Sequence, residues 1–583
     1  MRKTVAVQDP EVLAELQARK DLLKKAREGT ISVADIKGFA DAGYSLLHCV
    51  EPETNISLLH KVAYASPPNP ALVYELICLC PDLIPLMVQK GGKLNGATAL
   101  KLVNMHLAPK RVKKSALNLP QSVGNQARLK RKRATFQGDL NQRQVIRLLL
   151  ETGNGVVETL PTIGSAGTEL PLVSPRAFIE LANRVYYETS GALGGDNWRT
   201  ASNHIQFSAL MLEMVKSTSR VRDVRALRLA EIGGGQGTFA KWLRDEFGTR
   251  VHNFEFSSSL QAAQSATSAS GESFVVPMGN LTQPGAIDPS YYGVYDGVCF
   301  NEIADDIFRW ELTFQGAEKT PCVSYFDLNG RRQFVPIDAL PDDHPLARHL
   351  IENPLTDSKG PKYICTLMPI VLENVRCLLK PGGHVYMTDY CTTTHGPTMR
   401  LYATDFGKGK DVQSQMEQLL APSMCVTNPA ERGDSAERSA QRFNELHVGL
   451  QNCTWTVDPA PIVALMPGGS GPISLKDWAD GHGFWSNYKD MLFSKIRKAR
   501  TAGEIIAAIS TFCNKEPGKV LIERVGLGLR MLESKCTPEQ AVEILKINTL
   551  QSLGEHPYIY DMTGNSALKG QMESIEVLVL PKG

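Results

Sequence analysis

Residues 229–243 read LAEIGGGQGTFAKWL. The run RALRLAEIG that enters the glycines has the texture of a buried strand, and TFAKWLRDEF that leaves them has helical spacing. Between the two, Gly233, Gly235 and Gly237 recur at every second position. Glycines at a strand-to-helix turn permit the bend and let backbone approach a ligand closely, so the loop reads as a nucleotide site. Through Ala240 the same residues also satisfy the looser dinucleotide pattern GxGxxA, so the glycines alone leave NAD open.

Outward from this turn, short apolar strands alternate with helices, the grammar of a parallel sheet. VHNFEFS reads as a second strand and LQAAQSAT as a helix. Then come ESFVVPMG, YDGVCFNE, the helix MPIVLENVRCLLK, a turn at PGG and the strand HVYMTDY. GEIIAAISTFC and PEQAVEILKIN read as late helices, and SIEVLVLPKG as a last strand. The expected fold class is α/β, with one such domain over 140–583 and insertions near 308–362 and 408–470.

The first 108 residues differ in texture. EVLAELQARKDLLKKARE is an amphipathic helix, and GYSLLHCV, NISLLHKVAY and NGATALKLVNMH resemble the TPLHxA phrase of ankyrin repeats. Their spacing is irregular, so residues 1–108 are read as an added N-terminal helical domain that could hold degenerate ankyrin-like units. Residues 109–139, with KRVKK and RLKRKR, read as a basic linker. Such clusters can bind RNA, but no aromatic side chain lies among them to stack on bases, which makes a solvated linker the preferred reading.

Composition narrows the partners. With 63 basic against 61 acidic residues the net charge is +2, so no global field steers the chain to nucleic acid or membrane. Twelve cysteines without a CxxC pair read as reduced thiols, and no His/Cys cluster has metal-ligand spacing. No run of 18 apolar residues occurs, and acids at Asp9, Glu11, Glu15, Asp21 and Glu28 argue against a leader. A cytoplasmic location is expected, or a mitochondrial one if a leader has been removed, and no membrane partner.

Two acids refine the ligand. Glu255 ends the second strand, where it could accept hydrogen bonds from ribose hydroxyls. Glu231, beside the glycines, suits a cofactor carrying an ammonium and no pyrophosphate, which favours S-adenosylmethionine; its structural alternative is capping of loop amides. YDGVCFNE and LLKPGGHVYMTDY then look like the fourth and fifth strands of a class I methyltransferase, a Rossmann-like sheet.

In more detail the chain resembles the MidA family of methyltransferases, which includes a mitochondrial complex I assembly factor that symmetrically dimethylates an arginine. LAEIGGGQGTFAKWLR is similar to the family's EIGPGRGTLMxDLLR, and EFSSSLQAAQ to its ExSPxLRxxQ. FNEIADD resembles NELLDALP, and MTDYC with PTMRLY resembles IDYG with GTLRCY. PRAFIELANRVYYETSGALGGDNWRTAS looks like its entry segment, and the tail QMESIEVLVLPKG like its closing strand. Departures stand at Ser258, Asp306, Phe308 and Asp405, and the first 150 residues have no counterpart.

The resemblance implies methyl transfer to a protein side chain, arginine first, with a protein substrate or partner recruited by the N-terminal domain. Expected cofactor contacts are Glu231, Gly233, Gly235, Gly237, Thr238, Glu255, Phe256 and Asn301. Methyl transfer moves positive charge onto the acceptor, so carboxylates should face it, and a guanidinium is oriented by adjacent acids. Glu302 is the expected orienting acid, with Asp305 or Asp306 assisting and Asn301 touching cofactor or acceptor; NEIADD could instead simply begin a helix. Tyr186, Tyr187 and Trp198 are candidates to wall the acceptor pocket, as are Arg400 and Tyr402, with core packing or an Arg400–Asp389 ion pair as the structural alternative. Other function classes stay open: a catalytically inactive cofactor-binding scaffold, an RNA or small-molecule methyltransferase, and least of all a nicotinamide dehydrogenase.

Overall fold

Burial on both faces explains why the central strands are nearly continuous apolar runs. In a computed structural model, Arg228–Ile232 (β1), Arg250–Glu255 (β2), Val275–Pro277 (β3), Tyr295–Asn301 (β4) and Leu379–Tyr390 (β5) pair in parallel. Ser470–Ser474 (β6) and Ile575–Pro581 (β7) complete a seven-stranded sheet of order β3-β2-β1-β4-β5-β7-β6, in which β7 runs antiparallel to both neighbours. That order, with its reversed seventh strand, is the Rossmann-like sheet of class I methyltransferases. The structure describes residues 10–89, 95–107, 142–163, 168–183, 205–267, 274–395, 399–401, 453–554 and 572–582, apart from single positions and short loops within these spans.

Four helices matter for the site: Ile205–Thr218 (α1), Thr238–Phe247 (α2), Ser258–Thr267 (α3) and Met368–Cys377 (α4). On one face of the sheet, Leu229, Val251, Cys299 and Tyr386 pack with Leu210, Leu243, Tyr488 and Ile509 into a continuous core. Each such side chain contributes about 1.5–3 kcal/mol by leaving water. α2 begins at Gly237 with no side-chain cap and ends at Gly248, whose N–H reaches back to the Arg244 and Leu243 carbonyls. One expectation changes: Pro381-Gly382-Gly383 is not a separate turn but lies within β5, whose register jumps between Leu379 and His384. A bulge there accommodates Gly382 at φ +75.

The chain divides into two compact units, and the sheet above belongs to the one built from Tyr186–Phe308, Cys365–Arg400 and Thr454–Gly583. The other comprises Met1–Val185, Arg309–Ile364 and Leu401–Cys453, so the boundary drawn from sequence at residue 140 falls inside it. It holds helices Pro10–Glu28, Val33–Asp41, Leu58–Tyr64, Pro70–Leu79 and Ala99–Leu107. It also holds an antiparallel sheet in which Glu169–Val173 pairs with Val157–Pro161 and with Thr320–Asp327, a strand of the segment read as an insertion. Two ankyrin-like phrases are tied together here: Ser57 Oγ lies 2.6 Å from His60 Nδ1, and His60 Nε2 lies 3.2 Å from the Ala97 carbonyl. The basic linker at 109–139 lies outside the described residues. No helix among the described residues is long and apolar enough to cross a membrane.

Candidate functional site

The glycine turn follows β1, anchored by the Gly233 N–H donating to the Phe254 carbonyl at 2.8 Å. Gly233, Gly235 and Gly237 take φ of +62, +55 and +73, conformations that other residues adopt only with strain. Gly234 is needed for a different reason. A Cβ there would lie 2.6 Å from Glu231 Oε2 and 3.1 Å from Asn253 Cγ, so the turn rests directly on two side chains from β1 and β2.

Glu231 pairs in register with Asn253 on β2 and Cys299 on β4, which puts all three on one face of the sheet. The Ala240 N–H at the start of α2 faces the Glu231 carboxylate and favours its charged form. Oε2 has no hydrogen-bond partner among the described residues. Burial first, and the Glu255 carboxylate second, push the Glu231 carboxyl up to about 8. Burial, with Glu231 nearby, also raises the Cys299 thiol far above its usual range.

Glu255 ends β2 and is buried. Its Oε1 accepts the Ser257 N–H at 2.9 Å, and its Oε2 accepts the Gln264 amide at 3.3 Å. The same Gln264 amide donates to the Gly235 carbonyl at 2.7 Å, so α3 ties the acid to the glycine turn. Burial raises the Glu255 carboxyl to about 7 against these hydrogen bonds. Beyond it Phe256 is exposed, and Thr238 opens α2 half-buried.

One strand over, β4 ends in a second group. Thr388 Oγ1 on β5 donates to Asn301 Oδ1 at 2.5 Å. Glu302 follows at φ +47, held there by its N–H donating to the Thr388 carbonyl at 2.9 Å. A non-glycine residue at such a φ stores strain of about 1–3 kcal/mol, and strained residues cluster at functional sites. Ala304–Asp306 forms a single 3-10 turn rather than the start of an α-helix. Asp389, fully buried on β5, pins that turn by accepting the Asp305 N–H at 3.1 Å, and accepts the Tyr390 N–H at 2.7 Å. Burial, then the Asp305 carboxylate and after it Glu302, hold the Asp389 carboxyl well above the usual range.

The structure thus gathers Asn301, Glu302, Asp305 and Asp389 at one end of the sheet, and Glu231, Gly233, Gly235, Gly237, Thr238, Glu255 and Phe256 around the turn. Tyr186, Tyr187, Trp198 and Tyr402 lie outside the described residues, as do Asp405 and the side chain of Arg400, whose backbone belongs to the short strand Met399–Leu401. Phe308, a departure from the family pattern, is buried edge-on against Trp455 with ring centroids 5.8 Å apart, so apolar packing accounts for it. Sequence reasoning overlooked Asn253, whose buried Oδ1 has no partner among the described residues and which lines a cavity with Gly237, Lys241, Arg244 and Gln264. Among the described residues no cluster of His, Cys, Asp and Glu could hold a metal ion.

No protein-family model matches the sequence, and no curated protein matches it. Among solved structures the chain is similar to a Burkholderia thailandensis protein bound to S-adenosyl-homocysteine, at 14% identity over 76% of this chain and 92% of that one, with a TM-score of 0.36. A phospholethanolamine N-methyltransferase 2 of Haemonchus contortus matches at 11% identity over 70% of this chain and 60% of that one, with a TM-score of 0.26. Likenesses this distant carry no argument of their own, and the fold rests on the strand order and register given above.

Proposed function

We propose that this chain is an S-adenosylmethionine-dependent methyltransferase acting on a protein side chain, arginine first. One observation carries the reading: a bare glycine turn after β1 and a strained acidic turn after β4 stand at the carboxyl ends of adjacent parallel strands, where open α/β sheets bind ligands. The residues fit the cofactor. Glycines at positive φ leave backbone amides uncovered, and Glu231 carries a buried carboxylate oxygen unpartnered among the described residues. Glu231, Glu255 and the 233–237 backbone would hold it. S-adenosylmethionine, when bound, supplies an electrophilic methyl group.

The chain's own residues then supply alignment and negative potential. Asp389 is a positioning residue, fixing the Ala304–Asp306 turn through the Asp305 N–H. The Glu302 and Asp305 carboxylates would orient the acceptor guanidinium, stabilise the charge on its reacting nitrogen and take the proton that nitrogen sheds as the new N–C bond forms, and an electrostatic role of this kind typically contributes about 10²–10³ in rate. The phrases resembling the MidA family, FNEIADD above all, favour a guanidinium. Calorimetry with S-adenosylmethionine, followed by mass spectrometry of a cell extract incubated with labelled cofactor, is expected to show binding and proteins gaining methyl groups. A chain that binds no cofactor overturns the proposal.

A second reading has its own observation. The Glu255 carboxylate is already engaged by Ser257 and Gln264, as in a scaffold that keeps the fold without the chemistry. Cofactor binding without any labelled product would favour it.

A further inference from the structure

The last strand carries a buried acid that the site described above does not use. Glu576 lies on β7 and is only 3% exposed. One carboxylate oxygen accepts the hydroxyl of Thr393, in the short helix Thr392–His395 that follows β5. The other, Oε2, has no partner among the described residues. Thr393 itself is exposed, so the carboxylate sits just beneath the surface.

Register supplies the second half of the argument. Glu576 is the direct antiparallel partner of Asp389, and directly opposed residues on paired strands project from the same face with Cβ atoms about 4.5–5.5 Å apart. Both Asp389 oxygens accept backbone N–H groups, whereas Glu576 keeps one carboxylate oxygen out of water with no partner among the described residues, which carries a desolvation cost. Among the described residues no lysine or arginine is hydrogen-bonded to either acid, and no metal cluster forms. What would relieve the pair is a positive charge brought from outside, with N–H donors to spare.

We propose that Glu576 is a specificity-determining residue of the acceptor site: with Asp389 it forms an acidic wall that takes the charge of an organic cation, a guanidinium fitting best. A guanidinium offers several donors in a planar fork, enough to meet Glu302 on one edge and Glu576 on another. This rests on the acceptor reading above, and the test separates the two. S-adenosylmethionine binding, measured by calorimetry, reports on the methyltransferase reading alone. Binding of N-acetyl-arginine amide against its uncharged isostere N-acetyl-citrulline amide, followed by ligand-observed NMR on the full chain without cofactor, reports on Glu576.

The wild-type chain is expected to prefer the arginine probe by about tenfold, the scale of one charge-assisted hydrogen bond. In Glu576→Gln, which keeps a hydrogen-bonding group for Thr393 but loses the charge, that preference should fall below about threefold while the citrulline probe is unaffected. Thr393→Val should leave the preference intact. If Glu576→Gln does not fold, Glu576→Asp replaces it and is expected to retain a preference, weakened by the shorter reach. The proposal is overturned by a wild-type chain indifferent to charge. It is equally overturned by an unchanged preference in Glu576→Gln, or by either Glu576 variant weakening both probes alike.

Discussion

Gly234→Ala tests whether the glycine turn rests on Glu231 as the structure has it. Gly235→Ala is the control, because a Cβ at Gly235 meets nothing within 4 Å and only the left-handed φ of +55 opposes it. That costs about 1–2 kcal/mol. At Gly234 the new Cβ would stand 2.6 Å from Glu231 Oε2 and 2.8 Å from its Cδ. Glu231 is buried and cannot swing into solvent, so overpacking costs about 1–3 kcal/mol. The expected cost is therefore that overpacking, about 1–3 kcal/mol, carried by contact with Glu231. Since a chain of two units need not unfold in one step, the assay is native-state hydrogen exchange of the β1 and α2 amides across a urea series. In a Glu231→Ala background the nearer obstacle is gone and only Asn253 Cγ at 3.1 Å remains, so the cost of Gly234→Ala should shrink by about 1.5 kcal/mol, a coupling expected of residues in contact. Equal effects at the two glycines, or additivity with Glu231→Ala within about 0.5 kcal/mol, would refute the packing argument.

Other expectations follow from the same geometry. Glu231 and Glu255 have folded values of about 8 and about 7 against an ordinary 4.5, so the folded chain keeps protons that the unfolded chain releases. Their contribution is therefore fully present below 4.5 and is lost as pH rises toward 8, by up to about 1.4 kcal/mol per pH unit for each group; Glu231→Gln should flatten the decline of stability with pH, and a wild-type stability rising across that window would contradict it. Glu302→Gln should lower turnover by about 10²-fold with cofactor affinity unchanged in calorimetry, whereas undiminished turnover removes its role. Glu302→Gly should instead stabilise the turn by about 1 kcal/mol, by relieving the left-handed strain, while activity is lost. Ser57→Ala should cost about 1 kcal/mol, read as faster exchange in Leu58–Tyr64, because Ser57 both caps that helix and contacts His60.

The fold was legible because its signals are local. A buried strand, glycines at alternate positions and an amphipathic helix follow one another within residues 225–247, and each element is specified by neighbours in sequence. β4 and the acid turn after it were legible for the same reason. PGG was misread because a glycine pair marks a bend equally well in a loop or in a bulged strand, and only pairing with β4 distinguishes them. The crowding of Glu231 against Gly234 was not legible, because it depends on the register of β1 with β2. Asn253 and Glu576 went unread for that reason: a polar residue in a strand acquires meaning only from the side chains that the adjacent strands set beside it.

The reversed direction of β7 has a chemical consequence of its own. Parallel strands bring their final residues to the ligand-binding edge, as β1 brings Glu231, β2 Glu255, β4 Asn301 and β5 Asp389. A strand inserted antiparallel between β5 and β6 brings its first residues to that same edge, which is how Glu576, second in β7, comes to face Asp389. Because side chains alternate faces along a strand, a slip of one residue would bury the acid's neighbour Ile575 there instead. The hydrophobic side chains Val577, Leu578, Val579 and Leu580, all buried, fix the register against such a slip. The tail strand therefore closes the core and aims one carboxylate with the same set of contacts, so a shift in its register would move stability and acceptor recognition together.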